Sequence, residues 1–160
     1  VAGIAGRSAR LSTSQVVVLV FCAIAPDLDL ALRLFDGVNH HRGPSHSIGM
    51  AALAGCLATL MRRLGFGLPG ALAVAAAWGS HVLLDYVGLD TMPPFGEMAL
   101  WPVSRDFFIA PMALFYDVPR SFSPEAIRHN IVAVALEIVI VGPLAWLCWK
   151  RFANSAHHSS

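Results

Sequence analysis

The sequence predicts an all-α membrane protein, a bundle of about four transmembrane helices with a long proline-rich loop. Hydrophobic residues make up 56% of the 160 positions and charged residues only 13%, which is outside the usual range of soluble domains. The apolar residues occur in runs long enough to be considered as membrane spans. Because the length suits one domain, we expect residues 1–153 to form a single membrane-embedded domain and residues 154–160 a flexible tail or the remnant of a tag.

Four apolar segments are candidates to cross the membrane, which requires about 20 predominantly apolar residues. Residues 131–149 are apolar except for Glu137 and form the clearest span. Residues 48–60 and 68–84 are separated by two arginines and a Gly/Pro turn, so they predict a helical hairpin. Residues 16–25 are too few to span unless the aspartates that follow lie within the membrane or protein shields the helix.

The segment from residue 89 to residue 128 interrupts this pattern with prolines at positions 93, 94, 102, 111, 119 and 124. It predicts a loop that contains short interfacial helices, for example over residues 107–115. Basic residues in short loops favour the cytoplasm. If all four segments span, the basic residues of one side are Arg7, Arg10, Arg62, Arg63, Lys150 and Arg151. The histidine-rich motifs would then lie on the extracytoplasmic side.

Several functional classes are excluded or disfavoured. The net charge is +1 and the arginines are scattered, whereas nucleic-acid binding needs clustered basic residues. Cys22, Cys56 and Cys148 are far apart within apolar segments and predict small core residues, not a disulfide framework or a metal knuckle. The sequence contains no GxSxG, HExxH, GxGxxG or P-loop motif. A serine or cysteine nucleophile without such a signature remains open.

Three polar motifs rich in metal-ligating side chains lie at the same ends of the apolar segments. Ionisable groups near a bilayer are costly and usually need a partner such as a metal. Imidazole and carboxylate groups suit zinc and other first-row divalent metals. We therefore predict a site for one or more divalent ions, with zinc as the expected metal. Its candidate ligands are Asp27, Asp29, His41, His46, His81 and Asp85.

The spacing of these residues along the chain predicts which of them could bind the same metal ion. His81 and Asp85 are four residues apart, so they share one helix face and could bind one metal together, or the carboxylate could orient the histidine. Asp27 and Asp29 are two apart and do not share a face of a regular helix. One could bind the metal while the other orients a ligand or accepts a proton, so both are candidate catalytic residues. Two solvated carboxylates that cap a helix are the alternative.

The second motif runs from His40 to Ser47. Gly and Pro break the chain there, and a serine at position 45 or 47 is suited to cap the following helix. His40 is expected to be a bystander beside His41, and a simply solvated histidine-rich loop is the alternative for the whole motif. Arg42 has a fork of donors for phosphate or carboxylate. With Ser45 and Arg105 it forms the candidate substrate-binding set.

In this order the motifs resemble those of bacterial inner-membrane, metal-dependent hydrolases of the DUF457 type, which include the YdjM-like proteins. The residues concerned are Pro26 to Asp29, His41 to Ser47, Ser80-His81 with Asp85, and Leu100-Trp101-Pro102 with Arg105. The match covers about residues 3–105. It implies a helical fold in the bacterial inner membrane and a zinc-type hydrolase. The family pattern also opens with a Thr-His pair, so we expect a further ligand histidine before Val1, or else a different metal site.

The spacing of His81 and Asp85 is also similar to that in the zinc-dependent phospholipase C and nuclease group. This resemblance implies hydrolysis of a phosphoester through metal-activated water. A lipid or other membrane-associated anionic substrate is then expected, with Arg42 and Arg105 at its head group. The rival hypothesis is a non-catalytic membrane protein, either a metal or proton transporter or a scaffold with a structural His/Asp site. Transport predicts polar residues along a path, for which Glu137 is the candidate.

Overall fold

The computed structural model describes residues 12–119 and 121–157. All regular secondary structure in this part of the chain is helical, so the predicted all-α class is confirmed. The described residues cluster into two compact units, one over residues 12–116 and the other from residue 117 onward. The single domain over residues 1–153 stays a prediction. Arg7, Arg10 and Arg120 lie outside the described residues, as does the position expected for the additional ligand histidine.

The first helical segment is longer than the sequence predicts. Helix α1 (Thr13–Ile24) begins at Ser12, whose hydroxyl accepts a hydrogen bond from the backbone of Gln15 while the Gln15 side chain accepts one from Ser12. At Pro26, which lacks an N–H group, the chain tightens into a 3-10 helix (Ala25–Leu32) and then continues as α2 (Arg33–Asp36). The aspartates therefore lengthen the segment instead of ending it.

The predicted helical hairpin is present. Helix α3 (Ile48–Ala58) packs against α4 (Leu68–Tyr86), and α4 also packs against α1. The close approach depends on small residues, because a Cβ atom at Gly55 would lie 2.9 Å from the carbonyl oxygen of Ala71. A small core forms between the helices from Cys22, Ala58, Phe66, Ala71 and Val74.

Within residues 12–119 and 121–157, three helical segments are long and apolar enough to cross a membrane, namely Thr13–Asp36, Leu68–Tyr86 and Pro124–Pro143. Helix α3 has 11 residues and is about 16 Å long, well below the roughly 30 Å of the hydrocarbon core. It ends early because the hydroxyl and the backbone N–H of Thr59 both turn back to the carbonyl of Cys56. The predicted bundle of about four apolar helices is thus confirmed as three segments of spanning length and one shorter apolar helix, and the number that cross the membrane stays a prediction.

No helix is found among the described residues between Tyr86 and Pro124, so the predicted interfacial helix over residues 107–115 is wrong. Prolines there remove backbone donors and restrict the residues before them. Instead, two isolated bridges close the loop, one pairing Gly88 with Phe115 and the other pairing Glu97 with Phe108. The loop also joins the hairpin, because the N–H of Ile48 donates to the carbonyl of Ala99 over 3.0 Å.

Helix α5 (Pro124–His157) belongs to the second unit and extends the predicted span at both ends. It starts inside the predicted loop because Ser123 caps it through the N–H of Ala126, and proline is favoured at the first helical position. It continues through residues 154–157, where the sequence predicts a flexible tail. The side on which each helix end lies stays a prediction.

Gly55→Ala tests the α3–α4 contact. The added Cβ would lie 2.9 Å from both the Ala71 carbonyl oxygen and the Ala75 Cβ atom, so we expect unfolding to become easier by about 1–3 kcal/mol. Gly79→Ala is the matched control, since its Cβ would meet only Ala51 at 3.9 Å and should be neutral or stabilising. Thermal unfolding in detergent measures both, and equal melting temperatures would contradict the packing described here.

Candidate metal centre

Three distant segments of the chain meet in the unit formed by residues 12–116. The 3-10 helix after α1 supplies the aspartates, the loop before α3 supplies two histidines, and the last turns of α4 supply a histidine and an aspartate. The predicted ligands fall into two groups that share His46. In each group, one ligand atom per residue lies within 4.8 Å of all the others. The groups are Asp27, His46, His81 and Asp85, and Asp29, His41 and His46.

The first group has four ligand atoms that face one another. His46 Nε2 lies 3.2 Å from Asp85 Oδ2 and 3.7 Å from Asp27 Oδ1. His81 Nε2 lies 3.5 Å from Asp27 Oδ1 and 3.8 Å from Asp85 Oδ2. Tetrahedral zinc with ligand distances of about 2.0–2.2 Å places neighbouring ligand atoms roughly 3.3–3.6 Å apart. The four observed separations lie in or close to that range, so these pairs of atoms are compatible with ligation of one shared ion.

Most of these atoms face one another at ion-pair distances without forming hydrogen bonds. His46 Nε2, His81 Nε2 and Asp85 Oδ2 are buried and make no hydrogen bond to any described residue. Buried polar atoms in native proteins are nearly always satisfied, and leaving one unsatisfied costs about 1–3 kcal/mol. A single divalent cation would satisfy all of them together. The donor set therefore fits a metal better than it fits a purely structural polar network.

The other imidazole nitrogens are already engaged. His46 Nδ1 lies 3.1 Å from Asp29 Oδ2, and His81 Nδ1 lies 2.8 Å from the backbone carbonyl oxygen of Ala23. A neutral imidazole that donates its Nδ1–H to such an acceptor keeps the lone pair of Nε2 free for a metal. The Nδ1 contacts therefore orient both rings so that Nε2 faces the other ligand atoms of the first group.

Asp27 and Asp29 occupy different positions, as the sequence analysis allows. A 3-10 helix has three residues per turn, so residues two apart face different directions. Asp29 is 8% exposed, and its carboxylate accepts from Ser45 Oγ at 2.5 Å and faces His41 Nδ1 at 3.1 Å in addition to His46. Asp27 instead faces the first group. Asp29 and His41 could also hold an ion with His46, so the number of ions stays open.

The loop before α3 is held from both sides. Trp78 of α4 donates its indole N–H to the carbonyl of Ser45 over 2.8 Å. Ser47 is the residue that caps α3, since its hydroxyl accepts from the N–H of Met50 and donates to the carbonyl of Pro44. The structure thus places the hydroxyl of Ser45, a predicted substrate-binding group, inside the network around Asp29.

Arg42 lies beside the first group. Its φ of 63° is left-handed, which is uncommon for a residue other than glycine. The guanidinium places Nε 3.7 Å from Asp85 Oδ2 and Nη1 3.2 Å from Asp90 Oδ2. The Arg42 carbonyl accepts from the N–H of Met98 over 2.9 Å, so the proline-rich loop fixes this turn. The guanidinium of Arg42 therefore lies where it could bind an anion beside the metal position, although Asp90 already contacts one of its N–H donors.

Two other predicted residues do not belong to the ligand groups. Arg105 is exposed, and its role in binding a substrate stays a prediction. His40 pairs with Asp36 through Nε2 at 2.5 Å and belongs to neither group. That position agrees with its expected role as a bystander.

The electrostatics of the centre favour positive charge. His46 is completely buried, and burial opposes its charged form. The carboxylates of Asp27, Asp29 and Asp85 nevertheless outweigh burial and raise the pKa of His46 to about 11. A proton partly balances these carboxylates in the absence of another cation, and a divalent ion would balance them more completely.

Sequence reasoning missed Asp90, Glu97 and the carbonyl of Ala23. Glu97 is 1% exposed, and burial together with the charge of Asp85 raises the pKa of Glu97 to about 8. Asp90 and Glu97 lie in the proline-rich loop, where no helical spacing connects them to the motifs. The only sequence signal was an isolated acid between apolar residues, Phe95-Gly-Glu-Met-Ala-Leu. A backbone carbonyl leaves no signal in a sequence.

Comparison with known proteins places these residues in a family. The family model of the YdjM inner membrane protein matches residues 1–155. The chain belongs to the YdjM family. Neither a curated protein nor a solved structure matches it. The resemblance inferred from residues 3–105 is therefore confirmed and extends to α5.

The family description also agrees with the helices. YdjM proteins are described as inner membrane proteins, and the described part of this chain has three helical segments that are long and apolar enough to cross a membrane. Two of these segments supply ligands, Asp27 and Asp29 from the second half of Thr13–Asp36 and His81 and Asp85 from the last turns of Leu68–Tyr86. This YdjM protein thus combines a membrane-compatible helical fold with a His/Asp cluster that could hold a metal.

Asp29→Asn tests whether Asp29 orients the ligands. The single amide oxygen cannot accept hydrogen bonds from the Nδ1 groups of His41 and His46 and from Ser45 as the two carboxylate oxygens do. We therefore expect zinc affinity to fall about 10–100-fold, the usual effect of removing a hydrogen-bond partner of a metal-ligating histidine. Asp36→Asn is the matched control because Asp36 pairs with His40 outside both groups. Competition with a chromogenic chelator measures both affinities. Equal affinities in the two variants would contradict the assigned role of Asp29.

Proposed function

We propose that this YdjM protein is a membrane-bound, metal-dependent hydrolase that cleaves a phosphoester in a lipid or another membrane-associated anionic substrate. One observation supports this proposal. Three buried atoms without a hydrogen bond lie together with Asp27 Oδ1, namely His46 Nε2, His81 Nε2 and Asp85 Oδ2. Two imidazoles and two carboxylates suit zinc. When bound, such an ion lowers the pKa of water and offsets the negative charge that develops at the phosphoryl group.

Access to the centre favours catalysis. The side chain of Asp27 is 46% exposed, whereas that of His46 is fully buried. A substrate could therefore approach from the side of Asp27, and zinc can expand to five ligands during a reaction. Asp29 keeps the imidazoles oriented, and Arg42 can donate to an anionic oxygen that enters beside Asp85.

A lipid substrate is supported by the apolar surface near the centre. Leu34 and Phe35 are each 86% exposed and follow Asp29 in the same helical segment, Thr13–Asp36, which is apolar enough to cross a membrane. Large exposed apolar side chains are costly in water and are compatible with acyl chains. A lipid could then reach the centre by lateral diffusion within the bilayer.

A structural metal site is the second candidate, and one observation favours it. Four protein ligands are enough to close a tetrahedral zinc site, as in structural centres. A closed site would hold α1 and α4 together without turnover, so the experiment must measure metal content and hydrolysis separately.

The double variant His81→Ala, Asp85→Ala tests the proposal. It removes two of the four ligand atoms of the first group, so we expect zinc content to fall from about one ion per chain, as for a mononuclear site, to near zero, and hydrolysis to be lost with it. The matched control is Asp36→Ala, His40→Ala, which removes a His/Asp pair of the same spacing outside both groups. The control should keep both zinc and activity.

Zinc content is measured by elemental analysis of the purified protein in detergent. Hydrolysis is measured with bis(p-nitrophenyl) phosphate and with vesicles of phosphatidylglycerol and phosphatidylethanolamine. Stoichiometric zinc without turnover of either probe would contradict the hydrolase and favour the structural site. A folded wild-type protein that binds no metal would contradict both.

A further inference from the structure

Glu97 is a buried carboxyl group without a partner. Only 1% of its surface is exposed, and neither Oε1 nor Oε2 makes a hydrogen bond to any described residue. A buried carboxylate that lacks a partner is among the most costly groups in a protein. Native proteins keep such groups chiefly where function requires them.

The backbone holds Glu97 in this position. Its N–H donates to the carbonyl of Phe108 over 3.0 Å, and its own carbonyl accepts from the N–H of Phe108 over 2.9 Å. The preceding Gly96 has a φ of 91°, and a Cβ atom there would lie 2.5 Å from the Phe108 carbonyl oxygen. Only glycine fits this turn, so the loop directs Glu97 inward by a specific close contact.

Glu97 shares a narrow cleft with Asp85, one of the four ligand residues of the first group. The cleft has a volume of about 10 Å³ and is lined by Arg42, Asp85, Asp90 and Glu97 among others, which is roughly room for one water molecule. Arg42 pairs with Asp85 and Asp90, and Asp85 Oδ2 also faces His46 Nε2. Among the charged side chains that line the cleft, Glu97 alone has neither a hydrogen bond nor an ion pair within the described residues.

The proposed hydrolase needs a group that accepts a proton from the attacking water, and the other carboxylates are engaged. Asp29 is bound to Ser45, His41 and His46. Asp27 and Asp85 supply ligand atoms to the first group. We propose that Glu97 is the general base of the centre and acts through a water molecule in the cleft beside Asp85. This inference rests on the proposed function.

In the proposed reaction, one proton passes from the attacking water to Glu97 and then to the leaving oxygen. The attacking water forms a bond from its oxygen to phosphorus and passes a proton to the Glu97 carboxylate through the water in the cleft. The bond between phosphorus and the leaving oxygen breaks, and its electron pair stays on that oxygen. Glu97 then returns the proton to the leaving oxygen, which departs as an alcohol. Transfer through one water is within the usual reach of a general base.

Glu97→Gln tests this role and keeps the shape of the side chain. We expect zinc content to be unchanged, the melting temperature to be equal or higher because no carboxylate is buried, and kcat on bis(p-nitrophenyl) phosphate to fall about 10²–10⁴-fold. Glu125→Gln is the matched control, since Glu125 is exposed at the start of α5 and should leave all three quantities unchanged. Glu97→Asp, which keeps a shortened carboxylate, should recover part of the lost turnover.

The outcomes separate the two proposals. If the wild type is active and the kcat of the Glu97→Gln variant stays within about tenfold of the wild-type value, Glu97 is not the general base, because a general base usually contributes more than that. The proposed hydrolase would be unaffected by this result. Equal losses in Glu97→Gln and Glu97→Asp with lowered melting temperatures would identify a structural role and also overturn the role of Glu97 as the base. A zinc-loaded wild type that hydrolyses no probe would overturn the hydrolase and the base together.

Discussion

The structure depends on the cost of burying carboxylates and imidazoles at the end of apolar helices. His46 is completely buried. Its Nε2 atom makes no hydrogen bond within the described residues, and the same is true of the neighbouring atoms His81 Nε2 and Asp85 Oδ2. Each such atom has lost water without gaining a hydrogen bond, and the ion pairs of Asp85 Oδ2 with His46 and Arg42 are 3.2 and 3.7 Å long. A cation among them changes the balance, because it replaces several unfavourable desolvation terms with direct ligand bonds. Metal binding and folding of residues 12–116 are therefore expected to be coupled.

The scaffold around this cluster limits movement of the ligands. Asp29 and the carbonyl of Ala23 fix the two imidazoles through their Nδ1 atoms, and the indole of Trp78 fixes the loop that holds His46. Small residues such as Gly55 let α3 approach α4 closely, which brings that loop to the end of α4. The close packing of small residues in the hairpin thus has a consequence for the metal centre, although Gly55 itself belongs to neither ligand group.

Much of this could be predicted from the sequence, for a physical reason. In a chain that is 56% hydrophobic, polar motifs are conspicuous, and the i, i+4 spacing of His81 and Asp85 requires only a helix. The different roles of Asp27 and Asp29 could not be decided, because they depend on the 3-10 turn that Pro26 introduces. Glu97 was missed because its position results from pairing with Phe108 across a loop without helical periodicity. The length of α3 was overestimated, since the bonds from Thr59 to Cys56 end it before the apolar run is complete.

The position of Arg42 connects the metal centre to the proline-rich loop. Its guanidinium lies between Asp85, which supplies a ligand atom, and Asp90 of the loop, while its backbone carbonyl is bound to Met98. If a cation draws charge from Asp85, the attraction between Asp85 and Arg42 weakens, and the guanidinium has more capacity for another anion. Metal binding would then prepare Arg42 for an anionic substrate. The left-handed backbone conformation of Arg42 is energetically unfavourable. The contacts of its guanidinium with Asp85 and Asp90 and of its carbonyl with Met98 stabilise the residue in that conformation.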